Sequence, residues 1–233
     1  MKILILTLWC LVPLGLVAFH YGPGQKGVAL DHAGDHLVTG IALMKSEKWE
    51  DAIEAYEKAL ASLPKDRTTD NAKIRLEIAK ARMQSGHLPQ AREELDVLAK
   101  ELEADRSADP KVRDEALATL ASSRFYMTYL MKLEGLPESD WEPEIEAARQ
   151  ERKLLVQRAT DAGDSHAAAA HADDLESAIR LARMDPAELY GKAIPTQCKN
   201  CKSGKCNKPS SKPGKQKDAR GASSGPPVDG QGS

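Results

Sequence analysis

Cys198, Cys201 and Cys206 are the residues whose type and spacing come nearest to a chemical site. Two cysteines separated by two residues can present both sulfurs from one tight turn to Zn²⁺, an ion that wants four ligands. Cys206 supplies a third. The fourth is missing, because no histidine follows His171 and no further cysteine follows Cys206. A zinc site here therefore needs water, a distant residue or a second chain. In an exported protein the same three residues can instead form one disulfide and leave one thiol for a disulfide-linked dimer. Lys199, Lys202 and Lys205 surround them and favour the thiolate that either outcome requires. The spacing also admits no specific role at all. Thiol redox catalysis is disfavoured, since no strand–helix–strand pattern accompanies the pair.

Other candidates are weaker. Asp31-His32 and Asp35-His36 place two imidazoles one helical turn apart, the geometry of a divalent-metal face. They fall at the expected start of a helix, where a solvated polar turn is the simpler reading. His166 and His171 do not share a helical face and are expected at the surface. The sequence has no glycine-rich phosphate loop, nucleophile elbow or zinc-protease signature, and no set of acid, base and nucleophile. The reading is that the chain is not an enzyme and carries no resident cofactor.

The elements that must hold these residues are helical. Hydrophobic residues make up 41% of the 233-residue chain and charged ones 29%, while aromatics are only 4%. The balance of Ala, Leu, Glu, Lys and Arg over β-branched residues favours helices. Net charge is -2, which disfavours a nucleic-acid binder. The charge is uneven: from Cys198 onward, eight Lys or Arg face only Asp218 and Asp229. Residues 191–233, rich in Lys, Gly, Ser and Pro, cannot build a core and are expected to form a disordered basic tail. At the other end, Ile3 to Phe19 is free of charge. As a helix it reaches about 25 Å, the short end for crossing a membrane. A signal anchor over residues 1–21 is favoured over a cleaved signal peptide, because Leu16-Val17-Ala18 is a poor cleavage site. Either reading exports the body to the non-cytoplasmic side, with secretion if the segment is cleaved. Gly22–Gly27 reads as a breaker, making 22–28 a linker and 29–190 the helical domain.

Within that domain, Trp49, Ala52, Ile53, Tyr56, Ala59, Leu60 and Leu63 recur at the spacing of one helical stripe, closed by Pro64. A preceding helix is expected from about Ala29 to Lys45, with Leu30, Leu37, Ile41 and Met44 as its apolar positions. Gly40, Leu43, Ala52, Tyr56, Ala59 and Pro64 alternate small, large, small, aromatic, small and proline. In this respect the segment resembles the tetratricopeptide repeat. His36 and Thr39 depart from that pattern. Ala79, Ala91 and Leu95 stand at the sites of Gly40, Ala52 and Tyr56 in a second unit. Its helices are expected at Asn71–Gln84, capped by Thr69-Asp70, and from Pro89 to Leu102, joined through Gly86. A third, looser pair runs from Pro110 to Leu133 and from Pro143 to Ala159, with Gly135–Trp141 as the turn. A terminal helix, Ser165–Met184, should shield the last pair. The expected fold is thus an all-α, tetratricopeptide-like solenoid of about seven helices behind a membrane segment.

The resemblance implies a non-catalytic scaffold that binds a protein or peptide. First helices line the concave groove of that family. Lys73, Arg75, Lys80 and Arg82 fall on such a helix and would suit an acidic peptide or a C-terminal carboxylate. A solvated charged face explains them equally. Two other readings stay open: a metal-binding or redox-responsive module using the cysteines, and a structural spacer that binds nothing.

Overall fold

The computed structural model describes residues 23–190, together with Trp9, Val12 and Pro13. The tail cysteines and all but three residues of the apolar N-terminal segment lie outside the described residues. The chain divides into two units, Met1–Gln197 and Cys198–Ser233, and only the first contains described residues. Among them are eight helices and no strand: α1 Pro23–Lys45, α2 Trp49–Ser62, α3 Thr68–Gln84, α4 Leu88–Ala104, α5 Pro110–Leu133, α6 Glu138–Asp161, α7 Ser165–Arg183 and the short α8 Pro186–Tyr190. None of the helices is long and apolar enough to cross a membrane. Each of α1 to α7 packs on its neighbours in sequence, α3 also touches α5, and α8 returns to α5.

Several boundaries differ from the sequence expectation. Helix α1 begins at Pro23 rather than Ala29, so the expected linker is largely helical. Proline suits a first helical turn, where its missing N–H has no partner to lose, and glycine weakens a helix without forbidding it. Helix α3 begins at Thr68, and the position before it, Arg67, makes no side-chain cap. Arg67 instead bonds Asp70 through Nε at 2.7 Å, so Asp70 ties down the turn rather than capping it. Helix α6 begins at Glu138, five residues before Pro143. Pro143 forfeits only a bond to the Ser139 carbonyl, near the helix start, while helix formation buries Trp141 against Ile145 and Tyr129. The Lys132 ammonium lies 3.8 Å from the Trp141 ring centroid and donates to the Ala182 carbonyl at 3.1 Å. It thereby ties α5 to α6 and to the end of α7. Ile41, expected on an apolar stripe, is exposed.

Asp109 caps α5 by accepting from the Lys111 N–H, and Asp164 caps α7 through the Ala167 N–H. The α3–α4 turn closes on Gly86 at φ +89°, and the His87 N–H reaches back to the Arg82 carbonyl at 3.0 Å. The corresponding position of the α1–α2 turn is Glu47, at φ 59°, and there Lys48 bonds the Leu43 carbonyl at 3.0 Å. The two turns share a backbone path that only the α3–α4 turn supplies with glycine.

The core forms three clusters along the stack. Ala52, Tyr56 and Ala59 of α2 meet Ile74, Ile78 and Ala81 of α3, with Leu37, Leu43 and Met44 of α1 half-buried against them. Ala79, Ala91 and Leu95 lie buried in the second cluster, which joins α3, α4 and α5 and reaches Leu155 of α6. Tyr129, Trp141, Ala178, Leu181 and Leu189 form the third. Pro64 is half-buried just beyond α2.

Helices α1 and α2 approach closely at Gly40. Gly40 is buried, and a Cβ placed on it would stand 2.5 Å from Tyr56 Cε1 and 2.6 Å from Cδ1. The Tyr56 ring is itself 1% exposed and cannot swing aside. Gly40→Ala should therefore destabilise the fold by about 1–3 kcal/mol through overpacking, outweighing alanine's helix preference of about 1 kcal/mol. Denaturant midpoints check this, and a Tyr56→Leu background should absorb most of the Gly40→Ala cost. An equal cost in both backgrounds would show that the ring contact is not the cause.

Candidate interaction groove

Helix α3 has two apolar sides. Ile74, Ile78 and Ala81 face α2, while Ala72, Leu76, Ala79 and Met83 face α4 and α5. Charged residues are left the two strips between. At 100° per residue, positions two apart lie about 200° apart around a helix, whereas positions seven apart nearly coincide. Lys73 and Lys80 therefore share one strip, and Arg75 and Arg82 share the other. The four cations expected to line a common groove sit on opposite sides of α3. This corrects that expectation.

Each strip is met by carboxylates. Lys80 donates to Glu77 at 2.9 Å and to Glu115 of α5 at 2.7 Å. Burial alone would lower the Lys80 pKa, but Glu77 and Glu115 together hold it above the ordinary lysine value. Lys73, on the same strip, is exposed. On the other side Arg75 pairs with Glu101 of α4. Arg82 reaches both ways, to Glu57 of α2 at 2.7 Å and to Glu94 of α4. Its guanidinium spans the space between α2 and α4.

That space is a groove of about 540 Å³. Glu57 and Leu60 of α2 form one wall, Glu93, Glu94 and Val97 of α4 the other, and Arg75, Ile78 and Arg82 of α3 the floor. Val97 is 50% exposed, while Leu95 and Leu98 beside it in sequence are buried. Sequence reading missed Leu60 as a wall, and missed Glu93 and Val97 altogether. The available signal was Val97 itself, an apolar residue off the stripe set by Ala91, Leu95, Leu98 and Leu102.

The α4 wall is fixed from behind by an ionic cluster. Arg124 of α5, only 8% exposed, donates to Asp96 of α4 at 2.8 Å, to Glu144 at 2.8 Å and to Glu151 at 3.0 Å. Glu144 and Glu151 are two turns apart on α6, so both carboxylates point at the same guanidinium. Arg92 of α4 also pairs with Glu144. Nearer the end of α4, Arg158 of α6 holds Glu103 at 2.7 Å and Asp114 of α5 at 2.8 Å. Burial raises the Asp96 carboxyl, but Lys100, Arg124 and Arg92 outweigh it and hold it below the usual range. Glu151 is the opposite case. Burial dominates and pushes its pKa up to about 7 against the pull of Arg124, because its Oε2 is buried without a hydrogen-bond partner. One oxygen is well paired, the other is stranded, and the stranded one decides.

His166 is exposed as expected, but His32, His36 and His171 are placed differently from expectation. His32 is exposed and His36 half-buried, and both lie well inside α1 rather than at its start. His171 is not a free surface residue. It is half-buried with Nδ1 3.3 Å from Arg152 Nη1, and burial and the arginine charge both lower its pKa. Arg152 also donates to Ser122 at 2.7 Å and pairs with Asp174 at 3.0 Å, linking α5, α6 and α7. Among the described residues no cluster of three or more His, Cys, Asp or Glu is placed to hold a metal ion.

A tetratricopeptide repeat family model matches residues 43–109. That stretch runs from the end of α1 to the cap of α5, and so contains the α3–α4 hairpin and both walls of the groove. No curated protein matches the chain.

The stranded Glu151 carboxyl makes stability depend on pH. Its folded pKa stands above the ordinary 4.5, so between those values the folded state holds more of the proton. The stability contributed by this group is fully present below about pH 4.5, is lost progressively as pH rises through about 7, and stays lost above that. The drop in denaturant midpoint between pH 5.5 and pH 8 should be smaller in Glu151→Gln than in the native chain. Parallel pH curves for the two proteins would mean that this carboxyl does not titrate in that window.

Proposed function

We propose that this protein is a non-catalytic scaffold that docks a partner protein in the α2–α3–α4 groove. The observation that carries the reading is Val97, half exposed on the α4 wall across the groove from half-buried Leu60 on the α2 wall. Exposed apolar side chains on groove walls rimmed by polar groups are the ordinary form of a docking site. Two further points support it. The tetratricopeptide repeat match covers this segment, and repeats of that kind generally bind proteins. The α4 wall is also braced, because Arg124 of α5 pairs with Asp96 and Arg158 of α6 pairs with Glu103. A stiff wall loses little conformational freedom when a partner arrives. Val97→Asp places a charge on the wall without touching the core. It should abolish co-purification of whatever the native chain retains while leaving the thermal midpoint unchanged. If both proteins retain the same set, the groove is not the docking surface.

We further propose that the chain is held in a membrane by residues 3–19, with the helical domain on the non-cytoplasmic side. The support is the uncharged run from Ile3 to Phe19, preceded by Lys2. Carbonate-washed membranes should keep the full chain, and mass spectrometry should find its N-terminal peptide intact. Recovery of a soluble chain that starts near Phe19 would replace the anchor with a cleaved export signal.

A further inference from the structure

Within the docking reading, on which this step rests, we infer that the groove takes a short apolar segment flanked by basic residues. The residue types alone suggest the reverse, because two arginines stand in the groove. Their geometry decides otherwise. Arg82 already spends its Nη groups on Glu57 and Glu94, and Arg75 is paired with Glu101. An acidic partner would meet guanidinium groups whose charge is already offset by carboxylates, and would itself be repelled by Glu57, Glu93 and Glu94.

The carboxylates are in the opposite condition. Each has room for about four hydrogen bonds, and one arginine occupies only part of that capacity. Glu57 and Glu101 keep about half of their side chains open to solvent, at 51% and 54%. Glu93, exposed on the α4 wall, has no ion-pair partner among the described residues. The lining carries Glu57, Glu93 and Glu94 against Arg75 and Arg82, with Glu101 at its edge. The groove lining is therefore net acidic. Lysine and arginine supply the complementary donors.

The dimensions limit the apolar part. From Arg75 to Arg82 the floor spans seven residues of helix, about 10 Å, which matches about three residues of extended chain. Ile78 lies in the middle of that span, with Leu60 and Val97 on the two walls. A partner with an apolar triplet would set its side chains on this floor. Its basic flanks would then fall beside Glu57 and Glu94 at one end and Glu101 at the other.

The test uses the full-length chain and fluorescently labelled peptides that share one Leu/Val triplet but carry Lys/Arg, Glu/Asp or Ser/Gly flanks. Anisotropy titrations should show the basic-flanked peptide binding about tenfold or more tightly than the acid-flanked one, since two or three exposed pairs are at stake. Its affinity should fall with added salt. Glu93→Lys should weaken it about threefold, and Val97→Asp should remove saturable binding. Equal or tighter binding of the acid-flanked peptide overturns the inference and leaves the docking reading in place. So does equal binding of the Ser/Gly-flanked peptide. Basic-peptide binding that ignores both substitutions is diffuse attraction to an acidic surface, and also overturns it. If no peptide binds, the inference falls, while the docking reading stands or falls on the Val97→Asp co-purification.

Discussion

Helix α3 is apolar on two opposite sides, and the rest of the helical stack depends on that constraint. A helix with one apolar stripe can be satisfied by one neighbour. Ile74, Ile78 and Ala81 on one side and Leu76, Ala79 and Met83 on the other require two, so α2 and α4 must sandwich it. Growth of the stack in both directions follows, and each added helix pair must in turn be covered. At the far end the cover is α7 together with α8, whose Leu189 is fully buried and whose Tyr190 hydroxyl donates to the Leu133 carbonyl at 2.9 Å.

The same constraint places the charges. Only two narrow strips of α3 remain polar, each bordered by neighbouring helices, and only Lys73 of their four cations is exposed. Arg75, Lys80 and Arg82 are drawn to carboxylates on α2, α4 and α5 before any partner arrives. The paired strip between α2 and α4 becomes a groove because those two helices are held apart by α3 and bridged by Arg82. Ionic ties of this kind are costly to bury, and their net contribution to stability is modest. Their effect here is positional. The Arg124 cluster fixes the α4 wall against α5 and α6, so that Val97 and Glu93 are presented on a stiff surface.

Much of the local structure is legible in the chain. The small and large residues of the first unit, Gly40 against Tyr56 and Ala52 with Ala59, read directly as a tight helix pair. The caps at Asp109 and Asp164 and the turn at Gly86 are written in residue types whose preferences act within a few positions. Where reading failed, the deciding term was not local. The Trp141 segment looked like a turn because Pro143 follows it, yet burial against Tyr129 and the Lys132 ammonium draws it into α6. His171 looked like a surface residue because its contact, Arg152, lies on the preceding helix and meets it only after the pair folds.

By itself the sequence determined that helices form, roughly where they run, and which faces are apolar, because periodicity and cap chemistry are properties of short stretches. Even the separation of Lys73 and Lys80 from Arg75 and Arg82 was implicit in it, since 3.6 residues per turn puts them on opposite sides. Only the tertiary structure decided what those cations do. Arg82 to Glu57, Arg75 to Glu101 and Lys80 to Glu115 join residues about two to three dozen positions apart. Such pairings carry no periodic signal, because any surface carboxylate is an acceptable partner until packing selects one. The folded chain thereby turns a set of arginines that suggested an anion site into part of a groove whose lining is net acidic.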